Sequence, residues 1–160
     1  MLSVCIVCVG RLKEAYWREA CAEYAKRLSA YCKFRIVEVD EARVPDHASP
    51  AQIAEALRQE GARLLDHTVP GSWMAALCIE GRELSSEALA AKLDSLAVSG
   101  VSSVSLLIGG SWGLAPEVKQ QCSSRISMSP MTFPHQLARI MLCEQLYRAF
   151  QINAGGKYHK

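Results

Sequence analysis

Short apolar runs and longer amphipathic segments alternate along this chain. Leu2–Val9 is a continuous apolar run that ends at Gly10, a pattern typical of a buried strand. Apolar residues at helical spacing over Glu14–Leu28 then predict an amphipathic helix. The alternation continues to the end of the chain and predicts four more strands, at Phe34–Val39, Trp73–Ile79, Val104–Ile108 and Arg125–Met128.

Start and stop residues predict the remaining four helices. Ser49 is followed by Pro50 and Gln52, the order of a capping residue, a favoured first helical residue and the partner of a capping box. A glycine ends one of the later helices, and prolines begin two others. The four helices are predicted to run from Pro50 to about Leu65, from the Ser85–Ser86 cap to Gly100, over a short stretch from Pro116, and from Pro134 to about Ile152.

Five strands alternating with five helices indicate an α/β fold, with a mainly parallel sheet of five to six strands and helices on both faces. A chain of 160 residues without repeats or linkers fits a single domain over residues 1–160. Asp40–Ala48 is the only segment that we expect to be a flexible insertion.

The charges are unevenly distributed along the chain. The formal net charge is only +2, too small to indicate a nucleic-acid binder by itself. Residues 117–160, however, hold six Lys or Arg and two Asp or Glu, whereas residues 41–116 hold five and nine. We therefore expect a polyanionic partner to meet the C-terminal region first.

The seven cysteines are scattered through apolar runs, which favours free buried thiols in a reducing cytosol over a disulfide framework. Cys5 and Cys8 form a C-x-x-C, but within a strand they point to opposite faces, and no nearby ligands complete a metal site. The sequence shows no signal-peptide pattern and no apolar run of about 18 residues. We therefore expect a cytoplasmic protein with no membrane or metal association.

Three segments follow predicted strands at the sheet edge where open α/β folds bind ligands. Leu77–Arg82 passes from a strand into a glycine turn, and Ile108–Leu114 holds three glycines that let a ligand approach the main chain. The glycines equally fit a tight strand-to-helix turn, and their spacing matches neither a P-loop nor G-x-G-x-x-G. Ser127–His135 contains two prolines and offers fixed main-chain groups with apolar walls, although its apolar residues could instead fill the core.

The final helix and the tail after it carry the other candidate groups. His135 and Arg139 share one helix face, as do Glu144 and Arg148, a pair expected to be an ordinary salt bridge. Arg139 could be a solvated surface charge, but its apolar neighbours favour an anchor for a carboxylate or phosphate. The tail Gly155–Lys160 is either a frayed end or a mobile arm that closes over an RNA base.

Six segments in chain order carry a resemblance to a known family: Val7–Glu14, Glu80–Glu87, Ile108–Leu114, Met131–Arg139, Glu144–Ala149 and the terminal Tyr158–His159–Lys160. Together they resemble the ribosomal RNA large subunit methyltransferase H family, which belongs to the SPOUT class. The resemblance covers the whole chain, and the number of motifs in the same order makes it specific. The chain departs from the expected pattern at Lys157, where many relatives are expected to carry proline.

The resemblance implies a C-terminal trefoil knot over about residues 75–160, in which main-chain groups hold S-adenosylmethionine. It also implies a homodimer with substrate contacts from both subunits. The implied reaction is methylation at N3 of a pseudouridine in large-subunit ribosomal RNA, within the assembled ribosome. The residues expected to bind the cofactor are Leu77, Gly109, Met128, Ser129, Pro130, Met131, Thr132 and Phe133.

Direct transfer of a methyl group from a sulfonium requires neither a metal nor a covalent intermediate. We take His159 as the candidate base for the N3 proton and Tyr158 as the residue that orients or stacks on the nucleobase. Arg139 would stabilise developing negative charge or hold a phosphate. Two other classes of function remain open: a non-catalytic ribosome-binding or assembly factor with the same fold, and a flavin- or nucleotide-binding oxidoreductase without the usual phosphate fingerprint.

Overall fold

The computed structural model describes all of residues 1–160 and contains one five-stranded sheet. The spatial order of the strands is β2-β1-β4-β3-β5, and every neighbouring pair is parallel. This confirms the predicted α/β class and the parallel sheet, with five strands. The strands are β1 Ser3–Val9, β2 Lys33–Val39, β3 Trp73–Glu83, β4 Ser103–Ile108 and β5 Ser124–Ser127.

Five helices alternate with the strands, close to the predicted bounds. The capping box at the start of α2 is present: the Ser49 hydroxyl accepts from the Gln52 N–H, and the Gln52 side chain accepts from the Ser49 N–H. Pro134, at which the last helix is expected to begin, is its N-cap, and His135 is the first helical residue. The helices are α1 Ala15–Leu28, α2 Pro50–Asp66, α3 Ser86–Val98, α4 Pro116–Gln121 and α5 His135–Asn153.

The helices cover both faces of the sheet. One apolar cluster joins α1, α3 and α5 to one face, and a second joins α2 and α4 to the other. Alternate residues of β1 enter the two clusters, so Cys8 belongs to the first and Cys5 to the second. The opposite orientation predicted for these two cysteines is confirmed, and all seven cysteines are free thiols, five of them buried.

The third strand is longer than predicted. Leu77 and Arg82 both pair with Ile126 of β5, so the four residues between them bulge out of the ladder. A Cβ on Gly81 would lie 2.7 Å from the carbonyl carbon of Ile126, so the return to β5 requires glycine. The expectation that β3 ends at Ile79 in a glycine turn is wrong, because the chain rejoins the same neighbour after the bulge.

The connection between β2 and α2 is anchored at its start. The N–H of Ala42, which is buried, donates to a carboxylate oxygen of Glu60 at 3.0 Å. The guanidinium of Arg63 donates to the carbonyl of Asp40 at 2.9 Å. These bonds hold the beginning of the loop predicted to be flexible close to α2.

None of the five helices combines the length and the apolar character that a membrane span requires. The trefoil knot implied by the family resemblance stays a prediction.

Candidate active site

A cavity of about 860 Å³ opens at the bulge of β3 and the carboxyl end of β4. The three segments predicted to lie at this sheet edge form most of its lining, within residues 77–80, 108–114 and 127–138. Of the eight residues expected to bind the cofactor, all except Pro130 line the cavity. The structure therefore brings together almost the whole predicted set.

The glycine segment after β4 turns back on itself within five residues. The Gly113 N–H donates to the Gly110 carbonyl at 3.0 Å, and Gly113 has a φ of +83°, which favours glycine. A Cβ on Gly109 would lie 2.2 Å from the Gly113 carbonyl oxygen. The segment is thus a tight strand-to-helix turn, one of the two interpretations of its glycines. It is also a wall of the cavity.

Serine side chains hold the third segment in place. The N–H of Ser129 donates to the Ser127 hydroxyl at 3.2 Å, and the same hydroxyl donates back to the Ser129 carbonyl at 3.0 Å. Two residues further on, the Met131 N–H donates to the Ser129 hydroxyl at 3.0 Å. These local bonds fix the main chain of a loop that belongs to neither a helix nor a strand.

Large apolar side chains are exposed around the mouth of the cavity. Ile79, Trp112 and Met131 line it and remain 50%, 57% and 71% exposed. They come from three different segments, and they are half of the large hydrophobic residues that the chain exposes. Apolar surface concentrated in this way is typical of a binding site.

A smaller cavity of about 160 Å³ adjoins the first. The two share Leu77, Ser127 and Met128, and α5 contributes Met141 and Leu142 to the smaller one. Met128 is therefore an apolar wall of both cavities, as expected for a residue of this loop.

The four ionisable side chains that line the main cavity were not chosen as site residues from the sequence. Glu80 and Lys119 form an ion pair, and Lys119 holds the pKa of the Glu80 carboxyl below its ordinary value. Burial raises the pKa of the Cys78 thiol. His135 is the fourth, and its place as the last residue of the third segment is the signal that could have pointed to it.

Arg139 is almost completely buried, with 2% of its surface exposed. One guanidinium nitrogen donates to Glu38 at 2.6 Å, another donates to the Gly10 carbonyl at 3.0 Å, and Nε has no partner. The alternative of a solvated surface charge is wrong, because Arg139 is buried and pairs with a carboxylate of its own chain. A direct contact with RNA stays a prediction, and it would require the guanidinium to leave Glu38.

The C-terminal tail packs against α3 and α5. The Tyr158 hydroxyl donates to Glu144 at 3.0 Å, and the Tyr158 ring lies 4.8 Å from the Tyr147 ring, edge to face. Burial, followed by hydrogen bonds to Tyr24 and Glu144, raises the pKa of Tyr158 to about 12. The tail is therefore not a frayed end.

Both ring nitrogens of His159 are engaged in this docked position. Arg148, which can only donate, lies 3.1 Å from Nδ1, so Nδ1 carries no proton. Nε2 lies 2.8 Å from Glu87 and donates to its carboxylate. Arg148 also forms the predicted salt bridge with Glu144, at 2.5 Å. The ring as docked has no free lone pair, so it would have to leave Arg148 before accepting a proton.

The docked tail lies outside the cavity of its own chain. Tyr158 and His159 line neither cavity. On α5 the lining of the main cavity ends at Ala138, whereas the tail is held by Glu144 and Arg148, six and ten residues further along the helix. At 1.5 Å per residue these separations are about 9 and 15 Å along the helix axis. The structure thus brings the predicted cofactor residues together and leaves the predicted catalytic pair apart from them.

The model of one protein family, described as predicted SPOUT methyltransferase, matches residues 2–159. Proteins named ribosomal RNA large subunit methyltransferase H are similar to the chain over its full length. Those of Bifidobacterium adolescentis and Exiguobacterium sibiricum are each 46% identical over 99% of this chain and 100% of their own. The chain belongs to the ribosomal RNA large subunit methyltransferase H family, within the SPOUT methyltransferases.

A solved structure shows the same SPOUT-like fold at much lower sequence identity. It is described as a probable methylase family protein from Haemophilus influenzae Rd KW20, and it aligns with 98% of this chain and 70% of its own. The TM-score is 0.52 and the identity 13%, so this likeness concerns the fold alone. Membership of the methyltransferase H family replaces the oxidoreductase alternative considered from the sequence.

The geometry of the turn after β4 predicts that alanine substitutions at two neighbouring glycines have very different effects on cofactor binding. Gly109→Ala should weaken cofactor binding more than about tenfold, because its Cβ would strike the main chain of Gly113. Gly110→Ala should change cofactor binding less than about threefold, because its Cβ would meet only side chains, Val9 at 3.1 Å and Glu60 at 3.9 Å, and no main-chain atom. Calorimetric titration with S-adenosylmethionine measures both, and equal losses would contradict the role assigned to Gly109.

The burial of Arg139 predicts a large stability cost when its partner is removed. Glu38→Ala should lower the free energy of unfolding by about 3 kcal/mol, because it leaves a buried guanidinium without a counter-charge. Glu55→Ala, which removes the partner of the exposed Arg58, is the matched control and should cost far less. Urea unfolding followed by circular dichroism compares the two, and similar midpoints would show that the buried pair is unimportant.

Proposed function

We propose that this protein transfers a methyl group from S-adenosylmethionine to N3 of a pseudouridine in large-subunit ribosomal RNA. The substrate is the assembled ribosome, and the reaction takes place in the cytoplasm. The observation that carries the proposal is the cavity, which seven of the eight predicted cofactor residues line in a chain whose full-length relatives are named ribosomal RNA methyltransferases.

The residues of the cavity fit the cofactor. Its volume of about 860 Å³ lies in the range of small-molecule sites. Gly109 lets the main chain of Gly113 pack directly against it in the cavity wall, and the serine-held loop from Met128 to Phe133 presents fixed main-chain groups. When bound, S-adenosylmethionine supplies an electrophilic methyl group on its sulfonium.

The remaining work of the protein is to position the nucleobase. The exposed side chains of Ile79, Trp112 and Met131 offer a flat base an apolar surface at the mouth, and Trp112 offers an aromatic face. Seating the base there excludes water and aligns N3 with the methyl group. The 160 residues offer little surface with which to select one nucleotide by its sequence, so the chain recognises the folded surface of the ribosome.

The tail acts on a second copy of the chain in this proposal. Tyr158 and His159 dock about 9 to 15 Å along α5 beyond the last lining residue, Ala138, and line neither cavity of their own chain; in a homodimer they reach the cavity of the partner instead. There Tyr158, which stays protonated, stacks on or orients the base, and His159 contacts the nucleotide. Arg139 acts from inside its own chain, as a positioning residue that holds the first turns of α5 against β1 and β2.

The proposed reaction predicts both cofactor binding and a strong preference for the assembled substrate. The purified chain should bind S-adenosylmethionine and methylate ribosomes that lack the modification, with the methyl group on N3 of pseudouridine. A naked oligonucleotide should be methylated at least about a hundredfold more slowly, because it lacks the folded surface. Radiolabel transfer followed by nucleoside analysis measures both. Absent cofactor binding would favour an assembly factor, and efficient methylation of the oligonucleotide would refute recognition of the ribosome.

The shared site predicts complementation between two inactive variants. His159→Ala should lower turnover without loss of cofactor affinity, whereas Gly109→Ala should lose the cofactor. Mixed dimers join one intact cavity to one intact tail, so a refolded equal mixture should recover about one quarter of wild-type activity.

The control is a chain that carries both substitutions, mixed with His159→Ala, which should recover nothing. Mass spectrometry of the intact complexes establishes that mixed dimers have formed. Mixed dimers without recovered activity would show that the tail does not serve the cavity of the partner.

A further inference from the structure

His135 is the only imidazole that lines the cavity. It is the first residue of α5 and directly follows the loop expected to hold the cofactor. The other ionisable side chains of the lining are unsuited to accept a proton, since Glu80 is tied to Lys119 and Cys78 holds its proton more tightly than an ordinary thiol. His135 is therefore the one available base at this site near neutral pH.

The surroundings of His135 keep its ring neutral. Burial lowers its pKa from the ordinary 6.5, and the Arg139 guanidinium lowers it further. The helix N-terminus on which it sits also disfavours a positive charge. Glu41, from the loop after β2, acts in the opposite direction, and Glu38 is paired with Arg139. The net effect of burial and of these charges is a lowered pKa of His135.

No side-chain hydrogen bond of the chain involves the ring of His135, whose pKa is shifted by burial and by the charges of Glu41 and Arg139. A neutral imidazole has one nitrogen with a free lone pair. His159 differs in this respect, since both of its nitrogens are occupied by Arg148 and Glu87. The chain thus carries two histidines near its proposed chemistry. His135 lines the cavity with no hydrogen-bond partner in the chain, and a Cβ on Gly10 would lie 3.5 Å from its Nε2, whereas both ring nitrogens of His159 are occupied.

We propose that His135 accepts the N3 proton of the pseudouridine during methyl transfer, an assignment that rests on the proposed function. The N3–H proton moves to the free ring nitrogen, and the nitrogen lone pair forms the new bond to the methyl carbon. The carbon–sulfur bond breaks with its electron pair left on sulfur, which becomes a neutral thioether. The imidazolium then releases its proton to solvent, and the tail His159 serves to position the base.

The pH dependence of methyl transfer separates the two histidines. In single turnovers on ribosomes, the wild-type rate should fall as the pH drops through the depressed pKa of His135, below 6.5, because protonation removes the lone pair. His135→Asn and His135→Gln should lose about a hundredfold at neutral pH and lose this acid limb. His159→Ala should be slower at every pH and keep the limb.

Two measurements that do not depend on turnover accompany the rates. Proton–nitrogen NMR of the free chain should show the His135 ring titrating below 6.5, with the signal assigned by its absence from His135→Gln. Calorimetry should give both His135 variants a cofactor affinity within about threefold of wild type, which also shows that they are folded.

The outcomes distinguish failure of the proposed function from failure of the role proposed for His135. An inactive wild-type protein would overturn the proposed function itself. An active wild type together with His135 variants that keep their rate or their acid limb would overturn only the role of His135. A His135 ring that titrates above 7, or an acid limb that disappears in His159→Ala, would do the same.

Discussion

The buried guanidinium of Arg139 connects the parts of the molecule on which its site depends. It belongs to α5, it pairs with Glu38 at the sheet edge on β2, and it donates to the carbonyl of Gly10 where β1 ends. Burying a charge is costly unless the partners are well placed, so this contact specifies one position of α5 on the sheet. The loop that lines the cavity leads directly into α5, and the ion pair therefore also determines where that loop ends.

Main-chain constraints shape the rest of the cavity. Gly109 and Gly113 let the chain reverse within van der Waals contact of itself, and serine hydroxyls hold the loop from Ser127 to Met131. Both devices consist of contacts within the chain. The bulge of β3 adds to them, since it moves residues 78–80 out of the sheet and into the lining. Main-chain groups held by such contacts lose little conformational entropy when a ligand binds.

Local patterns predicted the strands, the helices and the three segments of the cavity, because each depends on residues close together in the chain. The capping box at Ser49 and the opposite faces of Cys5 and Cys8 are of this kind. The burial of Arg139 could not be predicted, since its partner Glu38 is 101 residues away. The extension of β3 depends on pairing with β5, and the docking of His159 depends on Glu87, 72 residues earlier. Contacts over such separations leave no periodic signal in a single sequence.

The separation of His135 from His159 follows from the length of α5 between the cavity and the docked tail. A straight helix keeps its residues at fixed distances, so the tail held at Arg148 cannot approach the cavity at the start of α5 without leaving its partners. His135 needs no such movement, because it already lies at the cavity with a free ring nitrogen. Proton transfer requires an unoccupied lone pair within hydrogen-bond reach, whereas holding a nucleotide requires only a surface that can be presented by another subunit. The cavity and the tail can thus meet different requirements of one reaction, the first through a fixed base and the second through recognition.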